Sequence, residues 1–534
     1  MEETRKKYHK DPSLNSVHRS SLMVPELDDS IAEISFLNHF LIKRNHKKIA
    51  CIITAIGKNG QKIQSKLHHI EEPRVYIFTL TGMVNEPVSN YMIEFYSVDN
   101  LFIPFPAVMV NHRNEKFLNQ VHSFNRVLND IFENDDINSN QVKESSVDLV
   151  VNQNTDTCLL FTAGPMGCKG SLEIEIENSD KIFKTVCELD VSRFGSKLIS
   201  LQETFHDMPD NFKGIIKAKQ PNQLLFYGRL LSGQWLKDDQ VFTANHSYYD
   251  SSTVKEYWDN NQPSERQYPF FSELNNSIKI YPIASPSHLK ISVYANSKDG
   301  SKILDDVHID DLISPSNEFV DFNVNSIIEK SDIRKEDVSS YGVKAEVIGS
   351  SKMPTRIGHQ LVLGGGGLES SINVVLNNPN KFIPEGRKSL KWGQIVIGGG
   401  FDSSVGFAAD SKENQEIEGH DVNIVYYNKT EKIKKKITKL YIGNSMTTAR
   451  LISGLCSTIP SKFYLYGDAS ANRRDFMRVI EPLERVGAKF FPRKKTLPLK
   501  IEGTSLPLAQ KHVESRGSGQ VKSMLLLSAL STPG

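Results

Sequence analysis

The sequence predicts a multidomain protein that is mainly β, with two β-sandwich-like domains followed by a partial α/β domain. Its 534 residues leave room for roughly three or four domains. Up to about residue 430, short alternating apolar segments are separated by clusters of turn-forming residues, a pattern typical of sandwiches. After residue 438, strand and helix patterns alternate, which indicates an α/β arrangement. We therefore expect a flexible lead-in at residues 1–30, β-rich domains at 31–207 and 208–430, and the α/β domain at 438–534.

The bulk composition argues against several classes of protein. A formal net charge of +1 gives no support to nucleic-acid binding through overall electrostatics. The charged amino end, Met1 to Lys10, precedes no apolar segment, so no signal peptide is expected, and no apolar run has the length of a membrane span. The five cysteines are scattered without a CxxC pair, which argues against a zinc site or a disulfide framework. We expect a cytoplasmic protein in a reducing compartment, with no metal, nucleic acid or membrane partner.

Local patterns predict the elements of the β-rich region. Asn59-Gly60 accepts positive φ between two apolar segments and predicts a hairpin. Ser171–Glu177 alternates strictly, so we expect one buried apolar face while the glutamates face water; the buried residues would be Leu172, Ile174 and Ile176. Long helical periodicity is scarce, and the best candidate for a helix is Phe117 to Phe132, with apolar residues at helical spacing.

The C-terminal pattern places a polar turn before each predicted helix. Tyr441–Leu455 reads as a strand end, a small polar turn and the start of a helix near Thr447. Ser470 is expected to cap a second helix that stops at Gly487, and Ser518 to open a third that runs to Leu530. Backbone N–H groups at helix N-termini attract anions. Three such turns would be able to converge on one anionic ligand.

Five spaced motifs in this segment carry a resemblance to a known family. They are Gly443–Leu451, Gly467–Arg474, Arg478–Leu483, Thr496–Leu499 and Gly517–Ser523. In residues and order they resemble 5-enolpyruvylshikimate-3-phosphate synthase, and an ordered set is far more specific than a single motif. The resemblance covers about residues 438–534 and implies part of one lobe of an enolpyruvyl transferase. No family is recognised in the first 430 residues.

The resemblance implies two anionic partners, phosphoenolpyruvate and shikimate 3-phosphate, and no cofactor. The family transfers the enolpyruvyl group from the first to the second. Arg450 and Arg474 resemble the arginines that hold phosphoenolpyruvate, since a guanidinium grips a carboxylate or phosphate through two hydrogen bonds. Ser518 and Gln520 resemble the residues that bind the shikimate phosphate and ring. The residues that would shape the loop under the enolpyruvyl group are Asn444, Ser445 and Thr447. No catalytic residue is assigned.

The segment departs from the family pattern at several positions. Met446 stands where the family normally has glycine, and its side chain is expected to fill space that phosphoenolpyruvate needs. Asp475 and Phe476 replace the usual Pro-Met, and Gly519 replaces alanine or serine. The family's Lys-Ser loop has no counterpart before residue 438, and its second half would lie beyond Gly534. The chain is then either a truncated reading of a longer one or a fused remnant that binds weakly or not at all, and in both cases we expect no turnover.

A second hypothesis is a non-enzymatic β-sandwich protein that binds carbohydrate or a protein partner. Asn245–Ser252 and Glu256–Trp258 combine aromatic rings with polar groups, as sugar sites do, although a hairpin loop with packed aromatics is the simpler interpretation. Asn111, His112 and His122 are metal-ligand types, but ordinary histidines fit their spacing better.

Other features have plain interpretations. The glycines from Gly364 to Gly367 lack a following Lys-Ser/Thr and indicate a turn or bulge rather than a phosphate loop. Cys168 has no activating base nearby in the sequence and is expected to be inert. The helix Val521–Leu530 is apolar nearly all round, so we expect exposed apolar surface and self-association.

Overall fold

The computed structural model describes most of the chain, as follows: residues 19–97, 107–129, 131–138, 144–146, 149, 151–178, 180–210, 212, 214–249, 256–259, 262–281, 283, 287–297, 320–331, 333–349, 351–365, 368–376, 392–396, 403, 426–427, 429, 437–513 and 517–530. The chain divides into two compact units. The first comprises residues 1–423 and 427–431, and the second comprises residues 424–426 and 432–534. The first unit is mainly β, and the second mixes strands and helices.

The N-terminal part of the first unit consists of two four-stranded antiparallel sheets. Its elements are β1 (Arg19–Pro25), β2 (Ile31–Leu37), α1 (His39–Arg44), β3 (Ile49–Gly57), β4 (Lys62–Ile70), β5 (Val75–Thr79), β6 (Val88–Ser97), β7 (Met109–Arg113) and β8 (Leu118–His122). The strand orders are β1-β6-β3-β4 and β5-β2-β7-β8. Buried side chains of both sheets, among them Leu22, Phe36 and Phe95, form one core cluster. The predicted hairpin is confirmed, with β3 and β4 paired around Gly60 at φ 74°.

A second group of sheets follows. Its elements are β9 (Asn125–Val127), α2 (Ile131–Asn138), β10 (Glu144–Ser146), β11 (Thr155–Thr162), β12 (Cys168–Glu177), β13 (Ile182–Val191), β14 (Ser196–Ser200), α3 (Leu201–Thr204), β15 (Ile215–Lys219), β16 (Phe226–Gly228), β17 (Leu231–Leu236), β18 (Val241–His246) and β19 (Tyr248–Tyr249). The orders are β13-β12-β15-β10-β19, β14-β11-β17-β18 and β16-β9. Strands from before and after residue 207 pair in all three, so the pairings run across the expected boundary. The domain boundaries as such stay predictions.

Two expectations for this region are wrong. Phe117 to Phe132 is not one helix; it contains β8, β9 and only the start of α2. A spacing of four also fits a strand, where residues 117 and 121 share a face, and both are buried in an apolar cluster. Leu172, Ile174 and Ile176 of β12 are buried as expected. Glu177 does not face water, because it is 1% exposed and paired with Lys217.

The last part of the first unit forms a third group of sheets. Its elements are β20 (Tyr257–Asp259), β21 (Ser264–Pro269), β22 (Asn275–Ile280), β23 (His288–Ser297), β24 (Val320–Asn323), α4 (Val324–Glu329), a 3-10 turn (Lys335–Asp337), β25 (Val338–Ile348), β26 (Lys352–Pro354), β27 (Gly358–Gly365) and β28 (Leu368–Val375). The orders are β21-β25-β23, β24-β22-β27-β28 and β20-β26, and the first two share a core cluster. Gly364 lies in β27, which forms a hairpin with β28; residues 366 and 367 lie outside the described residues.

The second unit is a small sheet covered on one face by helices. Its elements are β29 (Ile437–Tyr441), α5 (Met446–Ser457), β30 (Lys462–Tyr466), a 3-10 turn (Ala471–Arg473), α6 (Met477–Val486), β31 (Lys489–Phe491), β32 (Leu499–Glu502) and α7 (Gly519–Ala529). The order is β29-β30-β32-β31. The first two strands are parallel, with α5 as their crossover, and the other pairs are antiparallel. A core cluster joins residues of the sheet with residues of all three helices.

The predicted helices are confirmed with one shift. Ser445 and Ser518 are the N-caps of α5 and α7, and Gly487, at φ 111°, ends α6. The second helix begins at Met477 rather than after Ser470. The Asp468 carboxylate accepts hydrogen bonds from the backbone N–H groups of Ser470 and Ala471 at 2.9 and 2.8 Å, which closes a separate turn there.

Candidate functional site

The turn after β29 has the geometry of a helix cap. Gly443 takes φ 57°, a conformation that glycine adopts at little cost. The Ser445 hydroxyl accepts from the Thr448 N–H at 3.2 Å and lies 2.8 Å from the Thr448 hydroxyl. The cap satisfies one N–H group of the first turn of α5, and it leaves Asn444 and Ser445 exposed at the end of the strand.

A second turn, between β30 and α6, carries Arg474 to the same place. Asn472 closes this turn because its side chain exchanges two hydrogen bonds with the Gly467 backbone, at 2.9 and 2.8 Å. Arg474 follows in an extended conformation. Its Nη2 donates to Asn444 Oδ1 at 3.1 Å. The first and second predicted turns therefore meet through a side-chain contact.

The third turn joins them through Gln520. Ser518 caps α7, its hydroxyl accepting from the Val521 N–H. Gln520 Nε2 donates to the Thr447 hydroxyl at 2.7 Å, and Arg450 Nη1 donates to Gln520 Oε1. The close approach of α5 and α7 depends on Gly454, where a Cβ would lie 2.3 Å from the Met524 carbonyl oxygen. Hydrogen bonds thus connect all three turns at one end of the unit.

The electrostatics of this cluster favour an anion. Burial, and then the neighbouring charges of Arg478 and Arg474, lower the pKa of Arg450 from its ordinary value. Among the residues that the structure describes, no carboxylate forms an ion pair with Arg450 or Arg474. A partly buried group of guanidinium groups held by neutral amides and hydroxyls is suited to a carboxylate or phosphate. Arg478 was not among the predicted site residues, although it lies four residues after Arg474 and opens the motif Arg478–Leu483.

The departures from the family pattern have structural reasons here. The Met446 side chain is 5% exposed and belongs to the core cluster of the second unit. The side chain at the first residue of α5 therefore points into the core, and its effect on the space for phosphoenolpyruvate stays a prediction. Phe476 is also fully buried in that cluster. The Asp475 carboxylate accepts from the Met477 N–H at 2.8 Å and so stabilises the start of α6.

Comparisons with known proteins match the C-terminal part of the chain. A sequence model of the family EPSP synthase (3-phosphoshikimate 1-carboxyvinyltransferase) matches residues 412–534. This part of the chain is a partial EPSP synthase segment. The 3-phosphoshikimate 1-carboxyvinyltransferase of Thermotoga sp. (strain RQ2) is 43% identical over 99 residues, which are 18% of this chain and 23% of the relative. The relative from Halorhodospira halophila is 35% identical over 132 residues, 24% of this chain and 28% of its own length.

A solved structure is matched over a similar share of the chain. A solved EPSP synthase from Acinetobacter baumannii is 35% identical, with a TM-score of 0.18, and the match covers 18% of this chain and 22% of that one. The chain therefore spans about a quarter of the length of the curated relatives that it matches. The family match starts at residue 412, earlier than the expected residue 438. The roles predicted for the seven site residues of the EPSP synthase segment stay predictions.

A separate polar groove lies in the first unit. Its lining residues come from β10, β17, β18, β27 and β28 and include Ser232, Asn245, Gln360, Glu369 and Ser371. Asn245 belongs to the segment that suggested a sugar site. Its Nδ2 and the Gln360 Oε1 are buried and without a hydrogen-bond partner among the described residues. The cavity measures about 10 Å³, which is room for one water or hydroxyl group.

The other residues of that hypothesis lie elsewhere. Trp258 packs against the core cluster of the third group of sheets. Tyr257, in β20, is 45% exposed, with Lys352 Nζ 4.8 Å from its ring centre. Residues 250–255 lie outside the described residues. Within the described residues, Asn245 thus lines the groove, whereas Trp258 packs against a core.

The residues considered as metal ligands, together with Cys168, have contacts that explain them without a metal or a reaction. His112 is buried with Nε2 2.9 Å from the Pro25 carbonyl oxygen, and Asn111 donates to Glu33 and Ser35. His122 lies with Nε2 2.8 Å from His246 Nε2. Within the described ranges, no group of three or more His, Cys, Asp or Glu side chains is placed to hold a metal ion. Burial raises the pKa of the Cys168 thiol.

The third helix of the EPSP synthase segment is apolar on both faces. Val521 and Met524 are buried, whereas Leu526 and Leu530 are 71% and 77% exposed. Exposed apolar surface was expected here, and self-association through it stays a prediction. No helix in the described part of the chain is long and apolar enough to cross a membrane.

Proposed function

We propose that the EPSP synthase segment binds phosphoenolpyruvate and shikimate 3-phosphate without turning them over. The observation that carries this proposal is the chain of contacts from Arg474 to Asn444, from Gln520 to Thr447 and from Arg450 to Gln520. These contacts gather the three polar turns around guanidinium groups that lack carboxylate partners among the described residues. A site of this kind accepts an anion by exchanging neutral contacts for charge-assisted ones.

The proposed roles follow from the chemistry of each side chain. Arg450 and Arg474 grip the carboxylate or phosphate of phosphoenolpyruvate, while Ser518 and Gln520 hold the phosphate and ring of shikimate 3-phosphate. Asn444, Ser445 and Thr447 line the loop beneath the enolpyruvyl group. The chain spans about a quarter of the length of the curated relatives that it matches, and absence of turnover is the part of the proposal that an assay of phosphate release tests. We further propose that the segment is part of one lobe of an enolpyruvyl transferase, and that the first unit is built from sandwich-like layers.

Isothermal titration of the full chain with each substrate tests the proposal. Arg450→Gln and Arg474→Gln remove one charge-assisted contact each, so the affinity should fall on the order of 10-fold or more. Arg485→Gln is the matched control, because Arg485 lies in the last turn of α6 and contacts His512 instead. Equal affinity in all three variants would contradict the proposed site. A parallel assay should detect no phosphate release, and release above background would overturn the absence of turnover.

A second candidate function is carbohydrate binding in the groove at Asn245. It is favoured by one buried donor, Asn245 Nδ2, and one buried acceptor, Gln360 Oε1, that both lack partners among the described residues. A sugar hydroxyl both accepts and donates, so it is the kind of group that each of these two atoms lacks. On a glycan array, binding by the full chain should be lost in Asn245→Ala and kept in Tyr257→Ala, which changes an exposed residue of β20. No sugar binding by the folded parent chain would exclude this candidate.

A further inference from the structure

The sheet of the second unit has one face that its helices do not cover. Alternation along the strands directs Leu440, Leu465 and Ile501 into the core with the helices. Their neighbours in sequence therefore lie on the opposite face. Strand register places Tyr441 beside Tyr466, Lys439 beside Tyr464, and Tyr464 beside Lys500. We call this surface the Tyr–Lys face, formed by Lys439, Tyr441, Lys462, Tyr464, Tyr466 and Lys500.

Three tyrosine rings lie side by side on the Tyr–Lys face, tilted against one another by 45° and 35°. The ring centres of Tyr441 and Tyr466 are 5.2 Å apart, and those of Tyr464 and Tyr466 are 5.7 Å apart. Tyr441 is 62% exposed. On the edge strand β31, Phe491 is 47% exposed in register with Lys500. Exposed neighbouring rings on a sheet are able to stack with unpaired bases.

The positive charge of the Tyr–Lys face complements a phosphate backbone. Lys462 is paired with Glu502, whereas Lys439, Lys489 and Lys500 have no carboxylate partner among the described residues. The net charge of the whole chain is near zero, but the second unit is positively charged. Residues 437–534 contain fifteen lysines and arginines against six aspartates and glutamates. Aromatic rings interleaved with lysines are the combination that single-strand-binding surfaces use.

We propose that the Tyr–Lys face binds single-stranded nucleic acid, with bases stacked on Tyr441, Tyr464 and Tyr466 and phosphates contacted by Lys439 and Lys500. The sequence-based expectation of no nucleic-acid partner rested on the total charge, which does not describe this unit. Binding of this kind tolerates many sequences, because every base has a face that stacks. It also weakens steeply with salt, because bound phosphates release counterions.

Fluorescence anisotropy with labelled dT15 and U15 oligonucleotides tests the proposal on the full chain. The Tyr441→Ala/Tyr466→Ala variant should bind on the order of 30-fold more weakly or worse, as expected from the loss of two stacked bases. Tyr441→Phe/Tyr466→Phe keeps the rings and should bind like the parent chain, which controls for unfolding. Lys500→Gln should reduce the slope of log affinity against log salt by about 0.7. The comparison of dT15 with U15 shows which sugar the face prefers.

Three results would overturn the proposal. One is equal loss of slope in Lys511→Gln, since Lys511 is exposed but lies outside the sheet. Another is loss of oligonucleotide binding in Arg474→Gln, which would place the oligonucleotide at the arginine cluster formed by Arg450 and Arg474. The third is tighter binding to phosphatidylserine vesicles than to either oligonucleotide, with the same tyrosine dependence. Because the arginine cluster is tested by its own titration, either proposal is able to fail without the other.

Discussion

Two sets of cations in this molecule have opposite surroundings. In the first unit, Lys217 Nζ lies 2.7 Å from Glu177 Oε1, and the two side chains are 3% and 1% exposed. In the EPSP synthase segment, Arg450 and Arg474 contact neutral groups, Gln520 and Asn444. A buried charge is stable when a countercharge offsets the cost of its desolvation. A cation that serves to bind an anion is instead held by neutral groups, which the anion is able to replace. The difference separates a structural cation from a ligand-directed one.

Breaking the structural pair should have the largest effect. Lys217→Met leaves Glu177 buried without its countercharge, so the free energy of unfolding should fall by about 3 to 5 kcal/mol. Urea denaturation followed by tryptophan fluorescence measures this change. Arg474→Gln, by contrast, should change stability by less than about 1 kcal/mol, since Arg474 is exposed.

The double variant Lys217→Met/Glu177→Leu sharpens the comparison. It removes both charges and should recover much of the lost stability, because an apolar pair of similar volume often replaces a buried ion pair. If Lys217→Met and Arg474→Gln destabilise equally, the distinction between the two kinds of cation fails.

Met446 provides the next largest effect. Its side chain is buried in the core of the second unit, so Met446→Ala should cost about 3 kcal/mol through a cavity at the start of α5. Substitution toward the small residue of the family should therefore lower the thermal midpoint without strengthening phosphoenolpyruvate binding. Calorimetry with and without ligand measures both quantities. Tighter binding in the variant would instead support the view that this side chain blocks the site.

The sequence predicted the EPSP synthase segment better than the first unit, for a physical reason. Short local signals, such as the Ser518 cap and the Gly487 stop, act within one turn of chain, so residue type alone reveals them. The direction of the Met446 side chain depends on which face of α5 meets the core. Likewise, the alternation along β12 predicts that Glu177 faces water. Its partner on β15, Ile215, is nevertheless fully buried with Tyr248 and Tyr281. No local pattern reports what covers the second face of a sheet.

The histidine pair of the first unit predicts a pH effect of intermediate size. Burial, and then the charges of Arg229 and His122, lower the pKa of His246 to about 3, and burial lowers that of His122. Unfolded histidines bind protons near pH 6.5, so between that pH and the lowered values the unfolded chain binds more protons. Stability should therefore be complete above pH 6.5 and fall toward acid by up to about 1.4 kcal/mol per pH unit for His246, and by less for His122, which is more exposed to solvent.

Urea denaturation at several pH values between 7 and 4 measures this slope. His246→Gln should flatten it, because the variant has lost one of the two groups that take up protons only after unfolding. A slope unchanged by His246→Gln would assign the acid sensitivity to other buried groups, such as His359.

Alanine substitutions at two glycines of the EPSP synthase segment complete the series. Their effects on stability should have opposite signs. At Gly519, the first residue of α7, an added Cβ meets no atom within 4 Å and φ is not positive. Gly519→Ala, toward the residue of the family, should therefore stabilise by about 0.5 kcal/mol through the restricted unfolded chain. Gly454→Ala should destabilise, because its Cβ would collide with the Met524 backbone, and it should also weaken anion binding by separating Arg450 from Gln520. Thermal unfolding of both variants decides whether α5 and α7 are held together by backbone contact or by the polar cluster at their ends.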